Sequence, residues 1–377
     1  MYNVFNCNAK QLKELLSLGY QTGTPIYIAG PPGIGKSEIV HQFAKSIGAK
    51  MPKPFIVSGY QPEDIFGIPV PNKESGRLDY YQTKFFPPTD SDEKWVLFFD
   101  ELSNADKRLQ APLQQFFLFG EAGDYQIPKN CYLVAAGNTV EDECYAYEMS
   151  RALEDRFCIT YLRVAIDPWV DWALEAKIHP DIISFLKVKP EYLHYTLMQE
   201  KHVGSQEDRV LPTPRAWGKF VDRFLKQEGY SRTIQEIAIS GVVGTQIASM
   251  FFRVVDELKE LPSPKDIIEA GRSTRKDKYK GLVPNNAVGL WSVCFGLLSY
   301  CQTFEHYEGL VKYLEHLSSL TDTNLPIREV VCLTMERALN NSRKIANLDL
   351  IAINNLFKSL AKQWYDHLGT VLREMQA

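Results

Sequence analysis

Five short, continuously apolar and β-rich runs punctuate the first 165 residues: "PIYIAG" (25–30), "PFIVSG" (54–59), "WVLFFD" (95–100), "CYLVAAGN" (131–138) and "CITYLRV" (158–164). Strands that do not alternate polar with apolar residues are buried on both faces, and a parallel sheet covered by helices on each side is what buries them. Helical patterns or loops separate the runs, so the first half reads as α/β. After Asp167 and Pro168 such runs nearly vanish. Apolar residues then recur at spacings of three and four, as in Leu310, Tyr313, Leu314 and Leu317, and again in Leu356, Leu360, Trp364, Leu368 and Leu372. That period is helical. With 377 residues, 45% of them hydrophobic, the chain can hold two or three domains. The stretch 261–284, rich in proline, glycine and charge, reads as a long connection. The expected divisions are an α/β core over 1–168, a small helical domain over 169–262, and a linker with a helical C-terminal domain over 263–377.

Chemistry enters with "GPPGIGKS", which follows the first apolar run and precedes the helix-like "SEIVHQFAKSIG". The spacing G-x-x-x-x-G-K-[ST] between a strand and a helix is a phosphate-binding loop. Gly30, Gly33 and Gly35 let backbone N–H groups wrap phosphates, with Pro31, Pro32 and Ile34 completing the loop and Glu38 opening the helix. Lys36 is placed to reach the β- and γ-phosphates of ATP, and Ser37 to ligate Mg²⁺. The run "WVLFFDEL" ends in Asp100 and Glu101. Asp100 would join the Mg²⁺ shell, and Glu101 would orient or deprotonate the attacking water. A third strand ends in Asn138, whose amide could position that water.

The order "GPPGIGKS", "FFDEL", "AAGN", "LEDRF", "LPTPRAW" resembles the AAA+ ATPases, most of all the MoxR-type family, over about residues 20–225. The resemblance implies a five-stranded parallel core followed by a helical lid, with ATP bound between neighbouring subunits of a ring, a hexamer. It makes Asn138 the sensor 1 residue and Arg215 of "TPRAW" the lid arginine that meets the γ-phosphate in the same subunit. It also implies an arginine finger reaching the next subunit's site, with Arg156 the better match and Arg151 the alternative. For Arg156 an ordinary ion pair with Glu154 or Asp155 is the competing reading. The chain departs from the family at Thr139, where a proline is usual. Between the second and third runs, residues 60–88 contain two β-prone pieces around "NKESG", as a hairpin would. MoxR-type proteins resemble one another in carrying such an insertion, facing the ring axis. "EAGDYQIPKN" (121–130) looks like the hairpin before sensor 1. The family further implies a protein client, often one with a von Willebrand factor A domain supplied by another polypeptide.

Other features are weighed against these. The net charge is −4, which does not suit a protein that coats nucleic acid. "GRSTRKDKYKG" carries Arg272, Arg275, Lys276, Lys278 and Lys280; a solvated linker is the favoured reading, and a nucleic-acid motor or loader the alternative. A third reading is an ATP-gated scaffold with little hydrolysis. Seven scattered cysteines without a C-x-x-C pair suit a cytoplasmic protein with reduced thiols. No secretory signal is visible, and the longest apolar stretch, 287–301, is too short for a membrane span and reads as a buried helix. His306 and His316 lie ten apart, not at metal-ligand spacing, so Mg²⁺ is the sole metal expected.

Overall fold

The computed structural model describes residues 5–81, 86–122, 124–138, 149–200, 210–258, 261–275, 277–320, 324–346 and 348–363. The chain forms two compact units, Met1–Trp169 and Val170–Ala377.

In the first unit all five apolar runs become strands of one parallel sheet. They are β2 (Ile26–Ala29), β3 (Phe55–Ile56), β6 (Trp95–Asp100), β9 (Cys131–Gly137) and β10 (Cys158–Leu162). The sheet has six strands, not five. Asn6–Cys7, here β1, adds itself beside β10, giving the order β1-β10-β2-β9-β6-β3. Alternate residues of each central strand enter opposite layers. Tyr27, Leu97, Phe99, Leu133 and Ala135 pack with Leu109, Leu113, Phe116 and Phe117 of α4 (Lys107–Phe119). Ile26, Ile28, Val96, Phe98 and Val134 pack instead with Leu12 and Leu16 of α1 (Ala9–Thr22) and Ile39, Val40 and Phe43 of α2 (Lys36–Ser46). Each such fully buried side chain contributes about 1.5–3 kcal/mol of hydrophobic stabilisation. Both layers are needed, which is why these strands carry no polar face.

Both expected hairpins are present. A short helix, α3 (Pro62–Phe66), leads into β4 (Ile68–Asn72), which pairs antiparallel with β5 (Arg77–Tyr81). The turn between them uses Gly76 at φ 65°, a left-handed conformation that costs glycine nothing. In this hairpin Pro69 stands opposite Tyr80 and Pro71 opposite Leu78. The second hairpin is β7 (Glu121–Ala122) with β8 (Tyr125–Gln126). Its Asp124 Oδ2 accepts the Tyr80 backbone N–H at 3.3 Å, tying one hairpin to the other. A four-residue helix, α5 (Arg151–Glu154), precedes β10.

The described elements of the second unit are all helical. Phe185 of α7 (Pro180–Val188) meets Trp217 and Phe251, with ring centroids 5.6 and 5.4 Å away. The apolar stretch 287–301 is a buried helix as expected. It forms α13 (Ala287–Tyr300), whose Leu290, Cys294, Phe295 and Leu297 have no exposed surface. Leu310, Tyr313, Leu314 and Leu317 are the buried face of α14 (Phe304–Ser318). Of the last apolar stripe, Leu360 is buried with Ile353 and Phe357 on α16 (Leu350–Gln363), while Trp364, Leu368 and Leu372 lie outside the described residues.

Residues 261–284 are not simply a connection. Ser263 caps and Pro264 opens a helix, α12 (Pro264–Arg272), with Ile267 and Ile268 buried. Two glycines make its crossing with α14 possible: a Cβ on Gly271 would lie 3.1 Å from Gly309 Cα, and one on Gly309 would lie 3.1 Å from Ile268 Cα. Gly309→Ala is therefore expected to lower stability. Helix propensity would favour alanine by about 1 kcal/mol, but overpacking against backbone that cannot swing aside costs about 1–3 kcal/mol. Urea unfolding of the full chain measures the balance, and an unshifted midpoint would show that the helices separate freely.

Candidate functional site

The site grows from the C-terminal ends of adjacent strands β2, β6, β9 and β3. At the end of β2, Gly30 has φ 149°, and a Cβ there would come 2.8 Å from the Leu162 carbonyl oxygen. Only glycine fits. Gly35, at φ 95°, is the residue before α2, with no side-chain cap on that helix and open space where a Cβ would be. The first N–H groups of α2 thus face outward at the positive end of the helix dipole, which is an anion site. Pro31 and Gly33 are buried, Ile34 packs into the α1/α2 layer, and Pro32 is exposed.

Lys36 is buried, 8% exposed. Its Nζ donates to Pro31 O at 3.0 Å, to Asn138 Oδ1 at 2.8 Å and to Gly30 O at 2.5 Å. The Ser37 hydroxyl donates to Asp100 Oδ2 at 2.7 Å, and Asp100 Oδ1 accepts the Glu101 backbone N–H at 3.0 Å. Glu101 has φ 55°, in the left-handed region that costs a non-glycine residue about 1–2 kcal/mol. That turn sends its carboxylate to Ser58, whose hydroxyl donates to Glu101 Oε2 at 2.9 Å. Glu38 is exposed and accepts from Gln42 Nε2 at 2.9 Å, one helical turn along.

Sequence reasoning missed two residues. Ser58 follows β3, and β3 pairs with β6 so that Ile56 lies opposite Asp100. A hydroxyl just past the neighbouring strand's end was a usable signal. Ser103 is buried and its Oγ accepts the Asn138 backbone N–H at 3.1 Å. It offered no signal, because only the sheet's packing brings it to β9. Gly137 makes room for this contact: a Cβ there would fall 2.7 Å from Ser103 Oγ.

The structure brings Lys36, Ser37, Asp100, Glu101 and Asn138 together, and the three arginines lie on other elements. Arg151 is exposed on α5, which is fastened to α4 through Ser150, acceptor of Gln114 Nε2 at 3.0 Å. Arg156 Nη1 donates to Asp155 Oδ2 at 3.1 Å, so the ion pair weighed for it is formed. Arg215 belongs to the second unit, exposed in the first turn of a helix that Thr213 caps through Oγ1 and the Ala216 N–H, 3.0 Å apart. Thr139 and Cys144 lie outside the described residues. In the basic stretch, Arg272 pairs with Glu305 at 3.0 Å and Lys278 lies over the Tyr279 ring, while Lys276 lies outside the described residues. Among the described residues no group of histidine, cysteine and carboxylate side chains could hold a metal by itself, and no helix is long and apolar enough to cross a membrane.

Residues 5–179 match the family described as the MoxR domain in the MoxR-vWA-beta-propeller ternary systems. Over this span the chain is similar to the MoxR-type AAA+ domains. No curated protein matches the chain. Solved structures similar to it include a candidate ATPase of Cytophaga hutchinsonii, 15% identical, covering 85% of this chain and 79% of that one at a TM-score of 0.33. The RuvB Holliday junction branch migration motor of Thermotoga maritima is 18% identical, with 76% and 79% covered and a TM-score of 0.34. NtrX of Brucella abortus in complex with ADP is 13% identical, with 77% and 63% covered and a TM-score of 0.34. Likenesses this distant carry no argument about function.

Proposed function

We propose that this chain is a Mg²⁺-dependent ATPase that assembles into a ring, a hexamer, and uses hydrolysis to remodel a partner protein that carries a von Willebrand factor A domain. The observation that supports it is the unbroken contact series from Lys36 and Asn138, and from Ser37 through Asp100 to Glu101, around one glycine loop. In this reading the loop Gly30, Pro31, Pro32, Gly33, Ile34 and Gly35, with the first N–H groups of α2 up to Glu38, cradles the phosphates. Lys36 exchanges its carbonyl partners for phosphate oxygens. The Ser37 hydroxyl and Asp100 carboxylate are oxygen donors of the kind Mg²⁺ takes, and together they would hold it against the phosphates, where it would neutralise charge. Glu101 takes a proton from water, and Asn138 holds that water in line. Arg215 serves the same subunit's γ-phosphate; Arg156, or in its place Arg151, serves the neighbour's. The family's name, with its vWA component, supports the proposed partner.

The second unit is proposed to comprise a lid, up to residue 262, and a C-terminal domain after it. A cytoplasmic setting accords with cysteines that form no disulfide among the described residues.

Turnover per subunit, measured against protein concentration on samples sized in parallel, tests the ring. The rate is expected to climb as the ring forms, and a monomer hydrolysing at the full rate would sink the shared site. Chelating Mg²⁺ is expected to stop turnover. Ser58→Ala carries a separate expectation. Its hydroxyl occupies one oxygen of Glu101, so its removal should raise basal turnover by about tenfold, the low end for one hydrogen bond to a charged group, with little change in KM. A rate that falls instead would mean that Ser58 orients Glu101 rather than occupying it.

A further inference from the structure

The helix that begins beside Arg215 is not a plain α-helix. Residues Ala216–Val221 form a π-helix, in which the Asp222 N–H bonds to the Trp217 carbonyl, before α9 (Asp222–Lys226) resumes the ordinary winding. Such turns are rare and are frequently found at functional sites. Ala216, Trp217, Val221 and Asp222 are buried, while Lys219 and Phe220 are exposed.

Both ends of the turn are held. Trp217 has no exposed surface, and its Nε1 donates to the Tyr192 carbonyl at 2.8 Å. Gly218 lies flat against Trp172, where a Cβ would come 2.7 Å from the ring. Asp222 turns inward, accepting the His179 N–H and the Lys226 ammonium, each at 2.8 Å. One residue more than an α-helix needs is thereby fixed between Trp217, two residues after Arg215, and Asp222. Each residue of an α-helix turns the chain by about 100°, so the extra residue decides the side from which Arg215 and Trp217 together project relative to Asp222 and α9. Arg215 also stands at the positive end of that helix, where a cation gains nothing from the helix itself.

We propose that the π-turn sets the heading of Arg215, with Trp217 and Asp222 as positioning residues, so that its guanidinium reads the terminal phosphate of the nucleotide. This rests on the reading of Arg215 given above. The effect belongs in discrimination between ATP and ADP, which a purely structural role would not move.

The experiment uses the full chain carrying Glu101→Gln, so that ATP persists, and measures dissociation constants for ATP and ADP with Mg²⁺. Arg215→Ala, deletion of Lys219, and the two combined are compared. A charge-assisted contact to phosphate is expected to be worth about tenfold or more in affinity. Arg215→Ala and the deletion should each reduce the preference for ATP by that factor, and the combination should lose no more than either alone. A deletion that keeps the preference, while Arg215→Ala loses it, overturns the proposal. If Arg215→Ala keeps the preference, the reading of Arg215 fails first, and the inference with it. Should the deletion not fold, as thermal melting reports, Trp217→Phe replaces it. That change keeps a buried ring and removes the N–H anchor; a severalfold drop in the preference is expected, and an unchanged one overturns the proposal.

Discussion

Glu101→Gln is expected to lower the turnover number by about 10²–10⁴-fold, the range for losing a general base, while ATP and Mg²⁺ still bind. The change is close to isosteric. A glutamine oxygen can still accept the Ser58 hydroxyl now 2.9 Å from Glu101 Oε2, and the backbone at φ 55° is unaltered, so the site keeps its shape. What is lost is the capacity to take a proton from water. Phosphate release in the steady state, set beside equilibrium ATP binding, separates the two. Unchanged turnover would revive the view of an ATP-gated scaffold with little hydrolysis.

Arg156→Ala is expected to cost about 10³-fold or more in turnover, as for arginines supplied across an interface in P-loop enzymes. Its ion pair with Asp155 is no obstacle to that role. The Asp155 side chain is 82% exposed, and such pairs hold their partners by only about 0–1 kcal/mol. The guanidinium can therefore be drawn to a stronger anion. Mixing the Arg156→Ala and Glu101→Gln chains supplies the decisive readout. Where they alternate, a subunit with an intact Glu101 can meet a neighbour with an intact Arg156, and activity should return that neither chain has alone. Absence of recovery in rings shown to be mixed, by co-purification of differently tagged chains, would move the role to Arg151.

The parts of this molecule that were legible in its sequence share a cause. Each central strand buries both faces, so "WVLFFD" and "CYLVAAGN" could be nothing polar, and the glycine loop between β2 and α2 is dictated by close backbone approach. The hairpin around "NKESG" was legible because Gly76 must turn the chain there. What escaped notice depends on tertiary partners. Asn6–Cys7 becomes a strand only because β10 offers an edge. Ser103 reaches Asn138 through packing alone, and the π-turn follows from anchors contributed by Tyr192, Trp172 and His179. The helix α12 was hidden by its own start signal, since Ser263 and Pro264 resemble the punctuation of a loop.

The two prolines of β4 limit how the hairpin can meet another chain. Proline has no N–H, so Pro69 and Pro71, opposite Tyr80 and Leu78, occupy the pairs that exchange no ladder bonds. The N–H groups missing there are the ones that would have pointed away from β5. The outer rim of β4 consequently offers carbonyls without donors at both places, and on the opposite rim the Tyr80 N–H is already taken by Asp124. An extended peptide cannot be added as a further strand along β4, nor can a second hairpin stack edge to edge upon it. Whatever meets the β4 rim must do so through side chains, with Ile68 and Val70 of that strand exposed at 61% and 38%. Contacts of that kind slide and let go, whereas a hydrogen-bonded ladder locks register.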